Sequence, residues 1–131
     1  MQTEVCDDAY EEVKMTKIQI KEVFLGTHNW PSCDLPNVEF LKFEHHHQFE
    51  FLVQADVSHS DRAVEFLVLH AWVRDCILGC FPYPGNITRF GSMSCEQLSE
   101  FLMEKLNDYW GKEFNWQVSV SEDGQSRGGV W

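Results

Sequence analysis

His45-His46-His47-Gln48-Phe49-Glu50-Phe51-Leu52-Val53-Gln54-Ala55-Asp56-Val57 reads as the body of one long β-strand, spanning residues 43–58. Successive side chains of a strand point to opposite faces. His45 and His47 therefore share a face with Phe49, Phe51, Val53, Ala55 and Val57, while His46 sits with Gln48, Glu50, Gln54 and Asp56. One face is apolar and ends in two adjacent, inward imidazoles. Neutral imidazole is a common ligand of zinc and related transition metals. The competing reading is a solvated histidine run at a strand start.

Upstream, residues 16–28 form another strand. Its even positions Ile18, Ile20, Phe24 and His28 face inward, with Glu22 as the exception. Trp30-Pro31 through Pro36-Asn37 is a loop between the two strands. Downstream, Ser58-His59-Ser60-Asp61 has turn composition, and Arg62 to Glu65 reads as a short extended piece. From Phe66 to Leu78 the spacing becomes helical, with Phe66, Leu69, Val73, Cys76 and Ile77 on one stripe. Pro82, Pro84 and Gly85 make residues 78–91 a loop.

Ser94 followed by Gln97 is a capping-box pattern that opens a second helix. Leu98, Phe101, Leu102, Lys105, Leu106 and Tyr109 line its buried side, and Gly111 follows its end. A strand over 114–122 puts Phe114, Trp116, Val118, Val120 and Glu122 on one face. Asp123-Gly124 turns the chain into a short last strand over 128–131. The order is α+β: one domain over residues 16–131, preceded by an acidic, solvated arm over residues 1–15.

At 131 residues the chain is long enough for a real core, and 44% hydrophobic content places it among folded proteins. A net charge of −11 disfavours nucleic acid as a partner, because phosphates need clustered Lys and Arg. No apolar run approaches the roughly 18 residues of a membrane span, so no membrane role is expected. The five cysteines are odd in number and lack disulfide spacing, which fits free thiols in a reducing cytoplasm. Cys76 and Cys80, four apart on the first helix, suit burial or a metal pair. His59 and His70 are assigned to surface or core duty.

Three strand ends thus carry polar groups on inward faces: His28, His45 with His47, and Glu122. If the strands share a sheet, these groups converge on one pocket. Three histidines with an open fourth position form the ligand set of a catalytic zinc site. A nearby carboxylate can accept two N–H bonds from a planar heterocycle. A solvated strand end is the plainer role for Glu122.

Four stretches in this order resemble the tunnelling-fold family of 6-pyruvoyl-tetrahydropterin synthase and 6-carboxytetrahydropterin synthase. They are Phe24-Leu25-Gly26-Thr27-His28, His45-His46-His47-Gln48-Phe49, Met93-Ser94-Cys95-Glu96-Gln97 and Val118-Ser119-Val120-Ser121-Glu122-Asp123. The resemblance covers nearly the whole chain after residue 16. It implies an antiparallel sheet with two helices on one face, assembled into a ring-shaped homo-oligomer such as a trimer or hexamer. It implies Zn2+ on His28, His45 and His47, and a pterin or guanine-like ring held by Glu122, with Glu96 at a helix N-terminus beside it.

The same resemblance locates departures. The family's catalytic cysteine lies four residues before the first motif histidine, where this chain has Leu41. Cys33 lies twelve residues before His45, and Glu65 is another candidate base. The family's Asp–His pair after the first helix is replaced by Leu78-Gly79-Cys80-Phe81-Pro82, and His46 stands where the family has glycine. Two functions follow. One is a zinc-dependent, lyase-like synthase acting on a pterin or another GTP-derived molecule. The other is non-catalytic binding or sequestration of a purine- or nucleotide-like ligand.

Overall fold

The molecule, a computed structural model, is described over residues 15–82 and 85–130. The acidic arm up to residue 14, Pro84 and Trp131 lie outside the described residues. Strands β1 (Thr16–His28), β2 (His45–Val57), β3 (Thr88–Arg89), β4 (Gln117–Glu122) and β5 (Ser126–Val130) form one sheet in the order β3-β1-β2-β4-β5. All pairings are antiparallel except β1 with β3. Helices α1 (Phe66–Cys80) and α2 (Cys95–Tyr109) cover one face, α1 over β1 and α2 over β4 and β5.

The alternation read from the sequence sets the layers. Phe49, Phe51, Val53 and Ala55 of β2 are buried together with Ile20 and Phe24 of β1 and Val118 and Val120 of β4. Leu69, Val73 and Ile77 of α1 and Leu98, Leu102 and Leu106 of α2 close the core from above, all six fully buried. Each such side chain contributes about 1.5–3 kcal/mol by leaving water.

α2 starts where the capping box places it. Ser94 Oγ accepts from Gln97 N at 3.1 Å, and Gln97 Oε1 accepts from Ser94 N at 2.9 Å. α1 is capped by Glu65, whose carboxylate accepts from Val68 N at 3.0 Å. Glu22, the charged exception on the inward face of β1, is matched from α1. His70 Nδ1 lies 2.6 Å and Arg74 Nη1 3.0 Å from its carboxylate, and Arg74 also lies over the Phe24 ring. His70 therefore docks a helix, consistent with its expected non-ligating duty.

Four local expectations are corrected. β2 begins at His45, because Glu39–Lys42 forms a 3-10 turn that Phe43 closes by donating its N–H to Phe40. Arg62 to Glu65 is not extended: Arg62 has φ +56°, a left-handed turn conformation. β4 starts at Gln117, since Lys112–Phe114 is another 3-10 turn and Asn115 is left-handed at φ +49°. Phe114 and Trp116 still pack on the core. Within the expected loop over 78–91, Thr88–Arg89 adds β3 to the edge of β1, and Phe90 N donates to Thr27 O at 2.8 Å. Gly26 permits that approach: a Cβ there would meet Thr88 O at 2.9 Å.

Candidate metal centre and its pocket

The register brings the histidines together. His28 at the end of β1 pairs directly with His45 at the start of β2, and His47 follows two residues on, on the same face. One ring nitrogen from each of His28, His45 and His47 lies within 4.8 Å of the other two. The rings meet edge to face, with centroids 4.7–5.2 Å apart.

Each Nδ1 already has a partner. His28 Nδ1 is 3.0 Å from Met93 O, and His45 Nδ1 is 2.8 Å from Phe43 O. His47 Nδ1 is 2.8 Å from Asp123 Oδ2. These acceptors favour the tautomer that donates from Nδ1 and turns the Nε2 lone pair into the shared space. His45 Nε2 is buried with no partner. The Glu122 carboxylate closes the group, 3.2 Å from His28 Nε2 and 3.6 Å from His47 Nε2. Lone pairs and a carboxylate this close repel unless a proton or a metal cation sits between them. The donor set fits zinc, which accepts three imidazoles and leaves a fourth position open. Burial lowers the pKa of His28 below the usual 6.5, which favours the neutral imidazole.

A cavity of about 910 Å3 opens beside this cluster, lined among others by Trp30, Leu41, Met93, Cys95, Glu96 and Glu122. Its walls set apolar Trp30, Leu41 and Met93 beside serines, the carboxylates of Glu96 and Glu122 and the Arg127 guanidinium. Cys95 is a neighbour that sequence reasoning passed over. Its Sγ lies 3.7 Å from Glu122 Oε2, and burial, reinforced by that carboxylate, pushes the thiol pKa up to about 12. Both effects favour the protonated thiol, which can donate to Glu122.

The two proposed bases sit elsewhere. Cys33 is fully buried, with its thiol directed to Val38 O at 3.6 Å. Glu65 caps α1 beside Thr16 and Val57. Thr16 pairs with Val57 at the opposite end of the β1–β2 ladder from the His28–His45 pair. Twelve residues of strand separate these ends, roughly 40 Å. Glu65 therefore cannot reach the histidines of its own chain. Glu96, in the first turn of α2, is exposed and lines the cavity.

An outer layer holds the strand mouth. Glu44 accepts from Thr27 Oγ1 at 2.7 Å and pairs with Arg89 at 2.8 Å, tying the residue before His45 to β1 and β3. The Arg89 and Thr27 contacts lower its carboxyl pKa from the usual 4.5 to about 2. Neither Glu44 nor Asp123 carries a local sequence signal for these roles, because their partners lie far along the chain.

Two helices on one face of a five-stranded sheet, with a polar cluster at the strand mouths, define a tunnelling-fold chain. Solved structures of 6-pyruvoyltetrahydropterin synthase from Plasmodium vivax share it. One carries a catalytic-residue glutamate changed to cysteine (10% identity, TM-score 0.62) and another the change to alanine (10%, 0.64); each match covers 90% of this chain and 98% of that one. An uncharacterized protein of Wolinella succinogenes is similar at 13% identity and TM-score 0.63, covering 91% of this chain and 99% of that one. No protein-family model matches the chain, and no curated protein matches its sequence. At such identities the likeness speaks for the fold. Among the described residues, no helix is long and apolar enough to cross a membrane.

Proposed function

We propose that the chain is a synthase-like zinc protein whose pocket takes a pterin or another GTP-derived ring. The observation that carries this reading is the convergence of three imidazoles whose Nδ1 atoms are all engaged, beside the Glu122 carboxylate. His28, His45 and His47 would hold the ion. When bound, zinc polarises a substrate hydroxyl or carbonyl and stabilises developing negative charge. Glu122 accepts adjacent N–H groups of the ring, and Glu96 limits the pocket on the α2 side. Trp30 and Met93 shield the ring from water. A proton must still move, and Glu122 and Glu96 are the carboxylates that line the cavity.

A second reading is ligand binding without turnover. Its support is the placement of the two candidate bases, Cys33 turned into its loop and Glu65 at the far strand end, with the nearby Cys95 thiol favoured in its protonated form. One experiment separates the two. Zinc-loaded protein is incubated with a dihydroneopterin triphosphate, and the small molecules are recovered for mass spectrometry. A modified product supports the synthase, whereas stoichiometric recovery of unchanged ligand supports sequestration. Absence of both zinc and ligand would overturn the reading as a whole.

Assembly belongs to the same proposal. β3 and β5 are sheet edges, and Trp30, Leu35, Phe40 and Phe43 are large exposed apolar side chains on the loop before β2. Edge pairing and burial of such groups favour a homo-oligomeric ring, a trimer or hexamer, which light scattering would size. Free Cys33, Cys76, Cys80 and Cys95 fit a reducing, cytoplasmic setting.

A further inference from the structure

We infer that Asp123 is the positioning residue of the metal centre, a carboxylate that orients His47 without touching the ion. This rests on the three-histidine reading above and extends it to the residue that fixes one of the ligands.

Asp123 is the first residue of the β4–β5 turn, with φ +56°, followed by Gly124 at φ +73°. Both are left-handed, the conformation of a tight hairpin turn in which Asn-Gly or Asp-Gly is favoured. Backbone needs alone would be met by asparagine or glycine. The aspartate does more. Oδ2 lies 2.8 Å from His47 Nδ1, and Oδ1 accepts Gln48 N at 2.8 Å. The backbone returns the grip, since Asp123 N donates to Gln48 O at 2.9 Å. The carboxylate thus holds β2 at the ligand with one oxygen and orients the ligand with the other. A metal-bound imidazole with its second nitrogen on a carboxylate has a fixed tautomer and ring plane, and is a stronger donor. His28 and His45 rest on backbone carbonyls. His47 is the member of the trio with a charged partner at Nδ1.

The test uses Asp123→Asn and Asp123→Gly, both of which suit the left-handed turn. Asparagine carries one oxygen and one N–H2, so it cannot give separate acceptors to His47 and Gln48. If its N–H2 faces His47, the ring is driven toward the tautomer with Nε2 protonated. Zinc affinity is measured by chelator competition, the unfolding midpoint of metal-free protein gives the structural control, and the His47 15N shifts report the tautomer. The expected result is a ~10–100-fold loss of zinc affinity in both variants, with the metal-free midpoint nearly unchanged in Asp123→Asn, which keeps an acceptor for Gln48 N, and lowered in Asp123→Gly, which does not. His47 should be Nδ1-protonated in the wild type and lose that preference in Asp123→Gly. Wild-type affinity in both variants, or an Nε2-protonated His47 in the wild type, would overturn the inference. If the wild type binds no zinc, the metal reading fails instead, and the tautomer comparison still decides whether Asp123 orients the ring.

Discussion

At the residue scale, the His45/His47 pair was legible because a strand has period two. Register alone put both rings on the face of Phe49 and Phe51 and left His46 outside. What gives the rings a direction was not legible. Met93 O lies 65 residues from His28, and Asp123 lies 76 residues from His47. No local pattern announces contacts of that range. The pH behaviour of the cluster follows from His28. Its pKa is lowered by burial, so the unfolded chain takes up the proton first. Stability from this group is therefore present above 6.5 and declines as pH falls toward the lower, folded-state value. Urea midpoints of metal-free protein should fall between pH 7.5 and 5.5, and His28→Asn should flatten that slope. Equal slopes in the two proteins would remove His28 as the cause.

At the element scale, two substitutions on α2 separate cap from core. Ser94→Ala removes the acceptor for Gln97 N and should cost about 1 kcal/mol in a chemical denaturation curve. Leu102→Ala, a fully buried position on the same helix, should cost about 2–5 kcal/mol because it also leaves a cavity. α2 could be read from the sequence because its cap and its stripe are both local. β3 could not: two residues carry no period, and Thr88–Arg89 joins the sheet through the Gly26 approach and the Glu44–Arg89 pair. Glu44 gives that edge its own acid sensitivity. Its carboxyl titrates near 2 instead of 4.5, so its contribution is intact above 4.5 and disappears as pH falls from there to about 2. Glu44→Gln should remove that part of the acid-unfolding slope, followed by tryptophan fluorescence. An unchanged acid limb would show that the pair does not brace the strand mouth.

At the scale of the whole molecule, the histidine cluster joins segments far apart in sequence. His28 ends β1, His45 and His47 open β2, and through Asp123 the cluster also holds the β4–β5 turn. An ion that binds only this assembled set must stabilise the folded chain by mass action. At a hundredfold excess over its Kd, the gain is about 2.7 kcal/mol. For a chain of this size, that corresponds to a rise of roughly 8–12 °C in Tm. Zinc should therefore raise the melting temperature of the wild type by that amount, with EDTA reversing it. His47→Ala should melt near the metal-free wild type and respond little to zinc. Leu102→Ala, destabilised elsewhere, should keep the full zinc increment, because its lesion lies outside the ligand set. A zinc increment that survives in His47→Ala would place the ion at another site and detach the cluster from metal binding. Loss of the increment in both variants would mean that core packing, not ligand identity, governs the response.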